Sequence, residues 1–243
     1  MDLPAEADPF DAMVLDATAF DADERSEKSA ILARERPPSN VPLALRDCIL
    51  VRPETGRGAD AFVRFNETED VGQHHTLTVS AERGAKCFTF VLFDIEGQVP
   101  AGHRIRHVYL LFTLLKSTPD EERDSQTWDC MVLREDAPRK QWSESGPKRI
   151  TFDKAPAELH AVDLSAAGTL RGSLSKWYED DRLMLLQLRN QQLADAVAND
   201  QDGLLTVMLR SRDAKSPAAD FVSSEGPIGF GPCLAICVEP MDK

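Results

Sequence analysis

The sequence predicts an all-β domain, a sandwich or a barrel, and three features of the chain lead to this prediction. From residue 42 onward, short apolar or alternating segments recur, which is the pattern of sheet strands. Turn signals rich in glycine and proline separate these segments at short intervals. Only residues 190–199 carry apolar side chains, Leu193 and Val197, at a helical i, i+4 spacing between polar neighbours.

The individual strands follow from these patterns. Residues 87–93 and 108–115 are apolar without alternation, so we expect them to be central strands covered on both faces. The short helix at 190–199 is expected to close one end of the sandwich. The remaining predicted strands are 48–51, 61–65, 75–79, 130–133, 149–152, 170–177, 183–188, 204–209, 221–223 and 234–238.

Residues 1–40 are predicted to form an acidic N-terminal extension, and residues 41–243 to form the β-sandwich domain. Between Asp2 and Asp23 there are seven acidic residues and no basic one. Such a segment is either a solvated tail or an arm that docks on the domain or on a neighbouring subunit. Docking would use the apolar side chains Met13, Leu15 and Phe20.

The charge balance argues against two classes of partner. The chain has 28 Lys+Arg and 41 Asp+Glu, a net charge of −13. This balance disfavours nucleic acid and anionic membrane surfaces, which need clustered cations. No apolar run is long enough for membrane insertion. The first ten residues lack the basic start and apolar stretch of a signal peptide, so the protein either stays where it is made or has lost a leader.

The cysteines do not indicate a disulfide framework. There are five, Cys48, Cys87, Cys130, Cys233 and Cys237, an odd and scattered set. Cys233 and Cys237 would lie about 13 Å apart on one strand, too far for a disulfide between them. The sequence therefore predicts five buried thiols.

Short motifs follow one another in a fixed order along the chain, at 59–63, 93–95, 105–114, Trp142 with Glu144, 151–156, 183–209, 221–225 and 232–234. In this order they resemble the DNRLRE-type domains, a family that includes an alginate-binding class of carbohydrate-binding module and disaggregatase-related repeats. The resemblance spans roughly residues 48–239 and depends on the order of the motifs. It implies a jelly-roll β-sandwich of two antiparallel sheets, non-catalytic, on secreted or cell-surface proteins that act on polysaccharides.

Candidate carbohydrate-binding residues are aromatic rings and cations in loops. Trp128 follows the polar segment 116–127 and is the ring most expected to be exposed. Tyr109 and Trp142 are expected in the core instead. Basic side chains around one loop would form an anion-binding face for uronate or sulfate groups, or else a solvated surface. The candidates are Trp128, Arg134, Arg139, Lys140, Lys148 and Tyr178.

Acidic turns are candidate sites for structural calcium, the one cofactor that the sequence suggests. Asp180 and Asp181 form one turn, and Asp200 and Asp202 form another; both could equally be solvated. Asp60, Asp94 and Glu225 occupy motif positions and are expected to cap strands or share buried hydrogen bonds. No nucleophile, zinc or phosphate-loop motif occurs, so no enzyme is predicted, although the sequence leaves open a carboxylate pair like that of a hydrolase or lyase.

Two functions remain. In the first, the protein is a non-catalytic carbohydrate-binding module whose partner is a polysaccharide. In the second, it is an assembly protein of a shell, virion or cell surface, whose arm at residues 1–40 links neighbouring protein subunits. The resemblance favours the first and predicts secretion or surface display. The cysteine pattern, the missing leader and the arm favour the second.

Overall fold

A computed structural model describes residues 13–15, 41–45, 47–65, 74–82, 85–115, 126–133, 142–145, 148–152, 155, 164–172, 183–212 and 218–241. These residues build two antiparallel sheets and one short helix, so the prediction of an all-β sandwich is confirmed. Within these ranges, no helix has the length and hydropathy needed to cross a membrane.

The elements begin and end as follows. The helix α1 is Gln191–Ala198, and a single 3₁₀ turn covers Leu43–Leu45. The strands are β1 Met13–Leu15, β2 Ile49–Val51, β3 Ala59–Arg64, β4 Thr76–Val79, β5 Cys87–Asp94, β6 His103–Leu114, β7 Gln126–Leu133, β8 Leu164–Gly172, β9 Leu183–Arg189, β10 Leu204–Ser211, β11 Ala219–Val222 and β12 Cys233–Pro240.

The strand order is that of a jelly roll. In one sheet, called sheet A here, β6 lies between β9 and β12. Strand β1 extends this sheet beyond β9, and β2 extends it beyond β12. At the C-terminal end of β6, β11 pairs with β6, and β4 pairs with β11. Sheet B has the order β3-β5-β10-β7-β8. Eight strands remain when β1, β3, β4 and β11 are left out, and they can be numbered one to eight in chain order: β2, β5, β6, β7, β8, β9, β10 and β12. In this numbering sheet A has the order 1-8-3-6, and sheet B has the order 2-7-4-5. This is the double Greek-key order of a jelly roll.

The main core lies between the two sheets. Aromatic rings from both sheets meet there, with Phe221 packed edge-on against Trp128 at 5.3 Å and against Phe112 at 5.8 Å. Helix α1 adds Leu193 and Val197 to the same core and contacts β6 and β8. The predicted helix and its apolar stripe are therefore confirmed.

A second, smaller core covers the outer face of sheet B. Trp142, Ile150 and Phe152 pack on Phe88 and Phe90 of β5, which explains why that strand is apolar on both faces. Trp142 is thus a core residue, as predicted. The prediction of a strand at 149–152 is wrong: this segment carries only one isolated bridge, between Ser143 and Arg149. Its apolar residues are buried because it lies across a sheet, not because it belongs to one.

The prediction of five free thiols is also wrong. Cys48 and Cys237 form a disulfide with an S–S distance of 1.94 Å, whereas Cys87, Cys130 and Cys233 are buried and free. The reason is the pairing of β2 with β12, in which Ile49 opposes Ile236, so the next pair along is Cys48 and Cys237. Cys237 on β12 is therefore bonded to the residue that immediately precedes β2, at a sequence separation of 189.

The N-terminal segment supplies the edge strand β1. Its backbone pairs antiparallel with β9, with Val14 opposite Met184. This places Met13 and Leu15, two of the predicted arm residues, at the edge of sheet A. Phe20 lies outside the described residues, as do residues 173–182, which include part of the strand predicted at 170–177.

Candidate functional site

The structure overturns the expected exposure of Trp128, whose side chain is fully buried. Strand β7 begins at Gln126, earlier than predicted, and its residues alternate between buried and partly exposed. Trp128 falls on the inward face of this alternation and packs in the main core. In this fold it is a core residue that no glycan reaches.

The predicted basic loop is described only in part. Lys148 is exposed, while Arg134, Arg139, Lys140 and Tyr178 lie outside the described residues. Two neighbouring cations, Arg210 and Arg212, approach Asp129 with N–O distances of 3.3 and 3.5 Å.

The predicted calcium turn at Asp200 and Asp202 is organised by its own hydrogen bonds. Asp202 Oδ1 accepts a bond of 3.0 Å from the backbone N–H of Leu204, and its carbonyl oxygen accepts one of 3.4 Å from Arg57. Asp202 thus fixes the entry to β10, and Asp200 is partly buried beside it. Asp180 and Asp181 lie outside the described residues.

A surface on the outer face of sheet A combines an aromatic ring with cations. It consists of Arg106, His107, Tyr109 and Arg189 and is called the Tyr109 patch here. Tyr109 and Arg189 are cross-strand partners on β6 and β9. The Arg189 guanidinium lies over the tyrosine ring, 5.6 Å from its centre, and donates a 3.2 Å hydrogen bond to the hydroxyl. The His107 ring meets that of Tyr109 edge-on at 6.4 Å.

A β-bulge places Arg106 at this surface. Along β12, Cys237 pairs with His107 but Val238 pairs with Ile105, so Arg106 is the extra residue. Its side chain is 64% exposed. Glu239 binds Arg104 at 2.7 Å and reaches Arg106 only at 4.0 Å.

The charges of the patch are those of its guanidinium groups. Burial, and then the positive charges of Arg189 and Arg106, lower the pKa of His107, so its imidazole is neutral at pH 7. Two planar guanidinium groups therefore flank a neutral imidazole and a tyrosine ring. Guanidinium forks bind carboxylate or sulfate in a bidentate way, and the ring offers an apolar face with a polar tip.

Sequence reasoning missed this patch because it assigned Tyr109 to the core. The apolar run that begins at Val108 suggested burial on both faces, yet Tyr109 is only partly buried. The preceding segment 103–107 is rich in basic residues, with arginines at 104 and 106. Tyr109 is out of step with that alternation, and only the bulge at Arg106 brings them to the same face.

A second constellation is a group of three carboxylates, Asp60, Glu144 and Glu225, called the Asp60 cluster here. One oxygen from each lies within 4.8 Å of the other two. Asp60 is fully buried; its Oδ2 accepts a 2.7 Å bond from the Ser224 N–H, and its own N–H donates to Glu144 Oε1 at 2.9 Å. Glu225 Oε1 accepts from the Ser224 hydroxyl at 3.0 Å. The predicted buried hydrogen bonding of Asp60 is thereby confirmed.

The other two carboxyl groups of this cluster lie close enough to Asp60 to affect its pKa. Burial first, and then the charge of Glu225, raise the pKa of Asp60 above its ordinary value. Asp60 Oδ1 and Glu225 Oε2 are buried and accept no hydrogen bond.

Asp94, by contrast, belongs to an ion pair that fixes a corner of sheet B. Its two oxygens accept bonds of 2.9 and 3.1 Å from the Arg57 guanidinium, and another from the Arg57 N–H. Gly56 has φ +63°, and a Cβ there would lie 2.4 Å from Asp94 Oδ2. An open cavity of about 220 Å³ adjoins this corner, lined by Thr55, Gly56, Asp94, Glu96 and Gln98.

No protein-family model matches this chain, and no curated protein matches it at a significant level. The likeness to DNRLRE-type domains therefore stays a hypothesis based on the motifs alone.

Proposed function

We propose that this protein is a non-catalytic carbohydrate-binding module that holds an acidic polysaccharide on the Tyr109 patch. The observation that carries the proposal is the combination of a tyrosine ring with the guanidinium groups of Arg189 and Arg106 on the outer face of a jelly-roll sheet. A pyranose ring can lie against the aromatic side chain while its carboxylate meets a guanidinium fork.

The charge distribution favours an acidic sugar despite the net charge of −13. Long-range repulsion is screened beyond about 8–10 Å at physiological salt, so the nearest groups decide the interaction. Among the groups described at this surface, Arg106 and Arg189 are cationic, and the carboxylate of Glu239 is engaged mainly by Arg104. Uronate or sulfate groups are the ligands that such a surface selects.

The disulfide supports the location that this function requires. Disulfides persist in oxidising compartments such as the cell exterior and the periplasm. The Cys48–Cys237 bond therefore supports secretion or surface display. It also removes the cysteine pattern as an argument for the assembly protein.

A glycan array tests the proposed ligand class. The intact protein is expected to bind uronate or sulfated oligosaccharides and to ignore neutral ones. Tyr109→Ala is expected to weaken binding about tenfold, because roughly 1.4 kcal/mol of ring contact would be lost. Tyr109→Phe keeps the ring and serves as the matched control. Binding to no member of the array, or equal binding by wild type and Tyr109→Ala, would overturn the proposal.

One observation favours the alternative, an assembly protein with a linking arm. Strand β1 forms the edge of sheet A by pairing with β9, and an edge strand of this kind can be donated to another copy. Light scattering of the full chain and of Val14→Pro tests this, since proline at the centre of β1 removes a backbone donor. Multimers that are lost in the variant would support assembly; monomers in both samples would refute it.

A further inference from the structure

We propose that Asp60, Glu144 and Glu225 bind a single calcium ion. The three side chains come from segments that are distant in sequence: strand β3, the segment 142–145 and the turn after β11. Folding brings one oxygen of each within 4.8 Å of the others, next to a fully buried aspartate. Carboxyl groups converge in this way at low cost only if a cation or a shared proton lies between them.

The hydrogen bonds of the cluster hold it open toward a ligand. In both Asp60 and Glu225, one carboxylate oxygen is fixed by Ser224, through its N–H and its hydroxyl respectively. The second oxygen of each, Oδ1 and Oε2, is buried and has no hydrogen-bond partner. Buried acceptors in native proteins are nearly always satisfied, so these two oxygens hold either a cation or a proton shared between the two carboxyl groups.

The donor set selects a hard cation. The group contains carboxylate oxygens only, with no imidazole nitrogen or thiolate. Two oxygens bound to one calcium ion lie at most about 4.6–5.2 Å apart, twice the Ca–O distance, so three oxygens within 4.8 Å of one another can share one ion. Magnesium requires a tighter octahedron, with opposite oxygens about 4.0–4.2 Å apart, and retains more water.

The ion would fasten three parts of the fold to one another. Glu144 lies two residues after Trp142, which covers the outer face of sheet B, and Glu225 belongs to the connection between β11 and β12 of sheet A. Calcium would thus tie the outer cover of sheet B to a connection of sheet A. This role uses none of the Tyr109 patch and is independent of glycan binding.

Calcium titration of the full-length chain, freed of metal with a chelator, tests the proposal. Calorimetry should detect one ion per chain. Calcium at about 100-fold its Kd should raise the midpoint of thermal unfolding by about 5–10 °C, and magnesium by less. A wild-type protein that binds no calcium and shows no shift would overturn the proposal, with a shared proton as the only occupant of the cluster.

Two substitutions sharpen the test. Glu225→Gln removes one of three converging charges, so it should fold well without metal and should lose most of the calcium-induced shift. Glu144→Gln, measured in parallel, serves the same purpose if the first variant folds poorly. Glu96→Gln is the matched control, because that carboxylate is 73% exposed and paired with Arg57; it should keep the full shift. An unchanged shift in both cluster variants would contradict the assignment.

Discussion

Two aspartates on neighbouring strands of sheet B have pKa values that move in opposite directions. Asp60 on β3 is buried among carboxylates, which raises its pKa. Asp94 on β5 is held by the Arg57 guanidinium, and this hydrogen bond, together with others from the backbone, lowers its pKa to about 2. The residue type is the same, and the neighbouring charges decide which protonation state the fold stabilises.

The Asp94 ion pair should make stability depend on acidic pH. Its pKa is about 2 in the folded protein, against an ordinary value of 3.8, so the pair stabilises the fold above about pH 4. This contribution is lost as pH falls through 2. Urea unfolding of wild type and Asp94→Asn should therefore differ near neutral pH and converge below pH 4. A difference that stays constant across this range would contradict the assignment.

At the scale of single residues, the sequence did not predict the environment of side chains whose burial or partner depends on strand register. The polar segment before Trp128 predicts a surface position, but β7 begins two residues before it and turns it inward. The scattered cysteines predict a free Cys48, because no partner lies near it in sequence. Its partner Cys237 is opposite it only through the pairing of β2 with β12. Neither register is encoded in local composition.

At the scale of elements, the helix α1 depends on a cap. Asn190 Oδ1 accepts a 2.9 Å bond from the Leu193 N–H, and α1 is only eight residues long. Such a short helix has little stability of its own beyond its cap and its buried face.

Asn190→Ala is therefore expected to lower the free energy of unfolding by about 1 kcal/mol. Chemical denaturation measures the loss. Gln191→Ala, one position along, removes only an exposed bond to Asp195 and should cost no more than about 0.5 kcal/mol. Equal losses in the two variants would show that the cap does not stabilise the helix.

The elements themselves were largely predictable. Strands such as β5 and β10, and the helix, have unambiguous apolar patterns, and their positions were confirmed. The prediction of a strand at 149–152 was wrong because Ile150 and Phe152 are buried against sheet B without pairing in it. An alternating apolar pattern reports burial, and here burial came from a loop that crosses a sheet.

At the scale of the whole molecule, the disulfide joins the start of the sandwich to its final strand. It closes a loop with a sequence separation of 189, which lowers the conformational entropy of the unfolded chain. Reduction is expected to lower the free energy of unfolding by about 2–5 kcal/mol.

Thiol titration checks the pairing directly. The chain has five cysteines and three of them are free, so the denatured, unreduced protein should show three reactive thiols and the reduced protein five. Five thiols without reduction would refute the disulfide and would remove its support for an oxidising compartment.

Hydrophobic periodicity could not predict the strand order, because pairs such as β2 with β12 join segments from the two ends of the domain. The jelly-roll prediction came from the resemblance of the motifs, and the strand order agrees with it. The Tyr109 patch could not be predicted in the same way. It depends on the cross-strand pairing of Tyr109 with Arg189 and on the bulge at Arg106, both of which are products of the assembled sheet.

The most direct test of the proposed function is a calorimetric titration with a uronate oligosaccharide. Arg106→Gln removes an exposed guanidinium of the Tyr109 patch, and Lys148→Gln removes an exposed cation from the loop that the sequence alone suggested. Binding on the patch predicts that Arg106→Gln weakens affinity about tenfold or more, while Lys148→Gln stays within about twofold of wild type. An affinity that falls in Lys148→Gln and persists in Arg106→Gln would contradict it.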